Sequence, residues 1–196
     1  MPDKFEQHEI ARILRVKDAI RHKLHDFNLT IHKLGLGFTT DFFVSGGCTA
    51  SMLQGETPKD FDVYFRTKNR CEDVIKLYQM DSYKNEVAVY DEKYRDVDNH
   101  PKGLLITENA MTLKNGIQVI IKHYGEPADV RTTFDFKHCL PYYDSKNDKM
   151  YISREQYDCC ENKILVANEG RMPSAGRIDK FMKRGYKYGG LESKLQ

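Results

Sequence analysis

The fold is decided by the stretch Phe42-Phe43-Val44-Ser45-Gly46-Gly47 and, a short distance later, Lys59-Asp60-Phe61-Asp62-Val63-Tyr64-Phe65. The apolar run 42–44 predicts a buried strand, and the glycine pair ends that strand in a turn. Residues 48–53 then predict a helix that begins directly after the turn. In 60–65 acidic and apolar side chains alternate, which predicts a second strand with Asp60 and Asp62 on one face.

Asp60 and Asp62 are candidate metal ligands. Two carboxylates on one strand face repel each other unless a cation compensates their charge. Carboxylate oxygens suit Mg²⁺, with Mn²⁺ as the alternative, and Mg²⁺ commonly shares its remaining positions with substrate phosphates. The turn Ser45-Gly46-Gly47 offers backbone N–H groups and a positive helix end to an anion, and Ser45 can donate its hydroxyl. The pattern therefore predicts a site for phosphate chemistry, with a nucleoside triphosphate as the anion.

The rest of the chain predicts an α+β domain. Apolar residues at three- and four-residue steps indicate an N-terminal helix over about 4–27. Asn-Gly in 114–116 is a strong signal for a hairpin turn. Further predicted elements are helices over 70–80, 154–167 and 175–186, strands over 86–90, 104–106, 117–121 and 134–136, and loops over 91–100 and 141–149. We expect one domain over 1–196, with its C-terminal helices in about 154–187.

Composition excludes several classes of protein. The chain has 196 residues, of which 40% are hydrophobic, so it can bury a core and is not a disordered protein. With 31 Lys and Arg against 29 Asp and Glu, the net charge of +2 gives no global attraction to nucleic acid or membrane. Five cysteines without CxxC spacing indicate free thiols, and no segment predicts a signal peptide or a membrane span. We expect a cytoplasmic protein with no membrane partner; its oligomeric state is not indicated.

The order of these motifs resembles the nucleotidyltransferase superfamily, which includes DNA polymerase beta and the CCA-adding enzymes. The resemblance covers roughly 42–186 and rests on the glycine turn and the aspartates. It implies a polymerase beta-like domain, with a mixed β-sheet flanked by helices. It also implies metal-dependent transfer of a nucleoside monophosphate from an NTP, such as ATP, to an acceptor hydroxyl, with release of pyrophosphate. Two metal ions about 4 Å apart would serve such a displacement.

The resemblance further implies a third carboxylate. It suggests Asp135, within Thr133-Phe134-Asp135-Phe136, as a catalytic metal ligand beside Asp60 and Asp62, with Asp129 as the alternative. The segment 177–186 looks like a helix that follows the catalytic sheet in many viral and phage members. Arg177 and Lys180 in it are expected to bind nucleotide phosphates, although a solvated basic face is an equally good interpretation.

The sequence leaves more than one acceptor open, and it also leaves open whether the protein is catalytic. RNA, such as a tRNA end, is the preferred acceptor, and a protein hydroxyl is the alternative. CCA-adding enzymes carry an Arg-Asp dipeptide shortly after the glycines, whereas this chain has Cys48-Thr49-Ala50-Ser51, so CCA addition is not implied. A catalytically silent module that binds nucleotide, RNA or protein is the competing hypothesis, and a basic C-terminal segment that binds RNA alone is a third.

Overall fold

The computed structural model describes residues 4–33, 41–89 and 105–189. Its strands are β1 Phe42–Ser45, β2 Phe61–Phe65, β3 Ala110–Thr112, β4 Ile117–Ile120, β5 Tyr142–Asp144, β6 Lys149–Tyr151, β7 Ile164–Leu165 and β8 Lys187–Tyr188. Its helices are α1 Gln7–Lys23, α2 His25–His32, α3 Gly47–Leu53, α4 Lys68–Gln79, α5 Pro127–Arg131, α6 Arg154–Glu161 and α7 Ala175–Met182. None of the helices in these three ranges is long and apolar enough to cross a membrane.

A mixed sheet carries the domain, which confirms the predicted fold class. Its six strands lie in the order β3-β4-β2-β1-β5-β6, and β7 pairs with β8 in a small second sheet. β1 is antiparallel to both β2 and β5, whereas β2 is parallel to β4. In this register Ser45 lies opposite Asp62, and Asp62 lies opposite Gln118. These three residues therefore form one row across the sheet.

The two faces of the sheet bury different sets of residues. The back face packs the apolar residues of β1 and β2 against α1, α2, α3 and α4 in the main core. On α1 the buried stripe includes Val16 and Ile20, which each contribute roughly 1.5–3 kcal/mol by leaving water. On the front face Phe43 and Tyr64 pack against Val130 of α5. Because side chains alternate along β2, Asp62 shares this front face with Tyr64.

Several predicted elements differ from the observed ones. The helix predicted over 4–27 is divided at Leu24 into α1 and α2. The hairpin turn before β4 is confirmed, but its other strand is β3, not 104–106, because a short turn pairs neighbouring segments. Ile106 makes an isolated bridge to Met111, and Val87 makes one to Leu113. The loop predicted over 91–100 lies outside the described residues.

The second half of the chain contains more strand than predicted. The loop predicted over 141–149 is the hairpin of β5 and β6, whose three-residue strands are too short to produce a clear alternation. The helix predicted over 154–167 ends at Glu161, and Lys163 follows with a left-handed φ of 52°. The chain then enters β7, which pairs with β8. Long-range pairing of this kind leaves little signal in a local pattern.

An ion pair fastens α1 to α6. Arg154 donates from Nη1 to Oε2 of Glu9 at 2.6 Å and from Nη2 to Oε1 at 2.7 Å. The hydrogen bonds from Arg154 lower the pKa of Glu9 to about 2, although burial opposes them. We expect Glu9→Gln to lower the free energy of unfolding by about 2 kcal/mol at neutral pH, since charge-assisted hydrogen bonds are lost.

The same ion pair predicts a dependence of stability on pH. A depressed carboxyl pKa stabilises the fold above the ordinary value of 4.5, and this contribution is lost as pH falls from there towards about 2. The free energies of unfolding of wild type and Glu9→Gln, measured in urea, should therefore converge as the pH is lowered from 7 to 3. Glu161→Gln is the matched control, because Glu161 joins the same helices through a more exposed pair with Arg12. Parallel curves for wild type and Glu9→Gln would contradict the assignment.

Candidate active site

The turn between β1 and α3 is shaped by Gly46. Its φ of 95° lies in a region that residues with a side chain rarely adopt. A Cβ atom built on Gly46 would lie 3.0 Å from Oδ2 of Asp62. The backbone therefore requires glycine on two grounds, and the Asp62 carboxylate lies directly against the turn. This is the juxtaposition that the sequence predicted.

The turn is fixed by the segment that precedes β5. Ser45 is fully buried, and its hydroxyl lies 3.0 Å from the carbonyl oxygen of Pro141 and 3.2 Å from that of Cys139. The Gly46 N–H donates to the same Cys139 oxygen at 3.1 Å. Ser45 was predicted to donate to a phosphate, but its hydroxyl proton is taken by backbone carbonyls, so it holds the turn in place.

Gly47 is the part of the turn that faces open space. A Cβ atom built on Gly47 would meet no other atom of the described residues within 4 Å. It is also the first residue of α3, where the backbone is helical and any side chain is tolerated. Protein packing therefore explains the glycine at 46 but not the one at 47. The open space beside Gly47 leaves room for a ligand at the turn.

Asp60 and Asp62 form a carboxylate pair to which no described residue donates a hydrogen bond. Asp60 is exposed and directly precedes β2, whereas Asp62 is half-buried within the strand. Burial, and then the negative charge of Asp60, raise the pKa of Asp62 to about 6, although Lys180 and Arg177 oppose this rise. Among the described residues, no hydrogen bond or ion pair reaches either carboxylate. Two hard oxygen donors that repel each other, and that make no direct ion pair with another described residue, fit a divalent cation.

No third carboxylate of a described residue joins this pair. In the part of the chain that the structure describes, no three His, Cys, Asp or Glu side chains are grouped so as to hold a metal. On β4 the residue opposite Asp62 is Gln118, a neutral amide. Asp129, the alternative from the sequence, is exposed in the first turn of α5.

Asp135, the predicted third ligand, lies outside the sheet. The strand predicted over 134–136 is reduced to a bend at Asp135 and an isolated antiparallel bridge between Phe136 and Ala167, and the Asn168 N–H donates to the Asp135 carbonyl oxygen at 2.8 Å. The Asp135 carboxylate accepts from Nε of Arg177 at 2.8 Å and lies 3.4 Å from Nη2 of Arg171. The carboxylate predicted to bind metal is thus compensated by two guanidinium groups.

Two cations of α7 lie near the carboxylate pair. The Ser174 side chain accepts from the Arg177 N–H and so begins α7, and Phe181 packs this helix against Phe136. Both Arg177 and Lys180 oppose the rise in the pKa of Asp62, which places their charges within electrostatic reach of that carboxylate. The charges of the two predicted phosphate-binding residues therefore act on Asp62. Their binding role stays a prediction.

Two residues near the site were missed from the sequence. Gln118 stands in the row with Asp62, and only the parallel register of β2 and β4 reveals this. Arg131 ends α5, and its guanidinium lies 4.8 Å from the ring centroid of Tyr142. Its Nε has no hydrogen-bond partner in the described ranges, and burial lowers its pKa. Nothing in the local sequence distinguishes this arginine from a surface residue.

Solved structures with the same fold are enzymes that act on nucleotides. A Thermotoga maritima CCA-adding enzyme complexed with tRNA has a TM-score of 0.53 and 11% identity over 93% of this chain and 43% of that chain. A tRNA-processing enzyme in its apo form has a TM-score of 0.53 and 14% identity over 100% and 47%. A CCA-adding enzyme with CTP has a TM-score of 0.52 and 13% identity over 93% and 44%. The chain thus spans less than half of these enzymes, and the likeness defines its class as a nucleotidyltransferase fold.

A family model gives a more specific assignment than the fold class. Residues 14–163 match the model of the family described as Gabija anti-defense 2 family protein. This match covers most of the chain, so the protein belongs to the Gabija anti-defense 2 family. A search of curated proteins finds no match.

Proposed function

We propose that the protein is a metal-dependent nucleotidyltransferase that moves a nucleoside monophosphate from an NTP to an acceptor hydroxyl. The observation that carries the proposal is the Asp62 carboxylate, which lies against the Gly46 turn with Asp60 beside it, while no described residue donates to either carboxylate. A nucleotidyltransferase fold supports this use of the pair. Fold likeness by itself does not assign an activity.

In the proposed reaction a few residues have distinct roles. The acceptor oxygen forms a bond to the α-phosphorus, the bond from that phosphorus to the bridging oxygen breaks, and pyrophosphate leaves. Mg²⁺ or Mn²⁺ held by Asp60 and Asp62 would neutralise charge on the phosphates and on the leaving group. Arg177 and Lys180 bind phosphate oxygens, and the open side of Gly47 admits the triphosphate. Asp62 orients the acceptor hydroxyl and accepts its proton.

RNA is the proposed acceptor. The basic residues Arg177 and Lys180 suit a phosphate backbone, and one structural neighbour is complexed with tRNA. Family membership favours a second candidate acceptor, because modification of a Gabija component would be one way to oppose Gabija defence. A hydroxyl of a Gabija protein is therefore the alternative acceptor. The origin from a phage, which the sequence resemblance suggests, agrees with both and stays a prediction.

Transfer of label tests the proposal. The protein is incubated with each α-labelled NTP, Mg²⁺, total RNA and the proteins of cells that carry Gabija. We expect label from one NTP in an RNA band that nuclease removes; label that only protease removes would assign the protein acceptor instead. If no NTP labels any acceptor with either Mg²⁺ or Mn²⁺, the enzymatic proposal is wrong and the catalytically silent module is favoured.

A further inference from the structure

Asp135 and Arg177 form an ion pair through a single hydrogen bond from the arginine Nε. Nε of Arg177 donates to Oδ2 of Asp135 at 2.8 Å, and this contact leaves both terminal nitrogens of the guanidinium for another anion. The Asp135 side chain is only 14% exposed, whereas the Arg177 side chain is 56% exposed. The acid is thus the anchored partner and the arginine is the accessible one.

The backbone around Asp135 is tied down on both sides. The Asp135 carbonyl accepts from the Asn168 N–H at 2.8 Å, and the Lys137 N–H donates to the Val166 carbonyl at 2.9 Å. Asn168 also donates from its side-chain amide to the Phe134 carbonyl at 3.1 Å. These bonds hold the segment 134–137 in one position. Its carboxylate is therefore a fixed reference point for any side chain that pairs with it.

The same segment also holds the glycine turn. Two residues after Lys137, the Cys139 carbonyl accepts the Gly46 N–H at 3.1 Å. Directly before Lys137, Phe136 is buried against Phe181 of α7, with ring centroids 5.4 Å apart. One short stretch of chain thus contacts the turn at one end and α7, with Arg177, at the other. The distance between Arg177 and the turn is consequently set by this stretch.

The segment 135–139 places Arg177 on the side of the turn, because it contacts Arg177 through Asp135 and the turn through Cys139, and the electrostatics agree with this placement. The charge of Arg177 opposes the rise that burial and Asp60 cause in the pKa of Asp62. It likewise opposes the rise that burial causes in the pKa of Cys139, whose carbonyl binds the turn. An accessible guanidinium near the turn and near the carboxylate pair is suited to a polyphosphate, which it binds with two parallel hydrogen bonds.

We propose that Asp135 is a positioning residue that holds Arg177 so that its free terminal nitrogens bind the triphosphate of the nucleotide. This inference rests on the proposed function and replaces the metal-ligand role that the sequence resemblance suggested for Asp135. Among the described residues Asp135 is not grouped with two other possible metal ligands, and its two oxygens face Arg171 and Arg177 instead. In the proposed role it keeps both contacts, and Arg171 holds the second carboxylate oxygen.

The test measures two ligands separately on the full chain. Binding of inorganic triphosphate is measured by calorimetry without metal, and binding of Mn²⁺ alone is measured by electron paramagnetic resonance. We expect Arg177→Ala to weaken triphosphate binding by about tenfold, and Asp135→Asn to weaken it by a similar or smaller factor. The double variant should bind no more weakly than Arg177→Ala, because Asp135 acts through Arg177. Mn²⁺ binding should be unchanged in Asp135→Asn and lost in Asp62→Asn.

Control variants separate this role from a general loss of structure. Asp179→Asn, on the same helix and paired only with Lys183 among the contacts of the described chain, should leave both ligands unaffected. A thermal melt of Asp135→Asn checks the fold, and Asp135→Glu, which keeps the charge, should recover part of the triphosphate affinity.

The results distinguish a failure of this inference from a failure of the proposed function. Wild-type triphosphate binding in Asp135→Asn, additive losses in the double variant, or loss of Mn²⁺ binding in Asp135→Asn would each overturn the positioning role. A wild-type protein that transfers nucleotide but does not bind inorganic triphosphate would overturn it as well. If triphosphate binding depends on Asp135 through Arg177 but no acceptor is labelled, the inference stands and the transferase proposal fails.

Discussion

Asp62→Asn is expected to lower nucleotidyl transfer by on the order of 10³-fold or more, because it removes the charge on which the site depends. Asparagine keeps the size of the side chain that lies against the Gly46 turn. It removes the negative charge that would hold the cation and the group that would take the acceptor proton. Steady-state transfer of label to the acceptor, at saturating Mg²⁺, measures the loss.

The same substitution should not harm the fold. Burial and the charge of Asp60 raise the pKa of Asp62 to about 6, so its ionised form is unfavourable in the metal-free native state. At pH 8 without metal, we expect Asp62→Asn to unfold at a urea concentration equal to or above that of wild type. Asp26→Asn, an exposed carboxylate on α2, is the control and should leave activity unchanged. Retained transfer in Asp62→Asn would exclude the proposed metal site.

The two glycines of the turn are expected to respond differently to alanine. Gly46→Ala should lower the free energy of unfolding by about 1–3 kcal/mol, because its φ of 95° strains an L-residue. The new methyl would also lie 3.0 Å from Oδ2 of Asp62 and would displace that carboxylate. Transfer should therefore fall along with stability.

Gly47→Ala is the matched substitution, and we expect it to impair NTP use without lowering stability. The methyl meets no atom of the described chain within 4 Å, and alanine is favoured over glycine at the start of a helix. We expect unchanged or slightly raised stability, together with a rise in the Michaelis constant for the NTP, because the methyl enters the space left for the triphosphate. Urea unfolding and steady-state kinetics on both variants check this. Equal effects on stability, or an unchanged Michaelis constant in Gly47→Ala, would contradict it.

The part of the site that the sequence predicted is the part that is local in sequence. β1, the glycine turn and β2 follow one another closely, so period-two alternation and turn chemistry predicted one site from the turn and the two aspartates. The register of β1 and β2 then places Asp62 against Gly46. The short strands β5 and β6 were missed, because three residues cannot show a clear period. The prediction of a strand over 134–136 was wrong for a related reason: only an isolated bridge from Phe136 to Ala167 forms, and its partner lies far along the chain.

By itself, the sequence determined the order of strand, turn and acidic strand, the α+β class and the carboxylate pair, because these follow from patterns within a few residues. Only the tertiary structure decided which groups are already engaged. It showed that Ser45 is bound by the carbonyls of 139 and 141, that Asp135 is paired with arginines, and that Gln118 stands beside Asp62. Such contacts join residues that are distant in sequence. Their partners are set by packing, register and charge compensation in the folded chain, which local patterns do not encode.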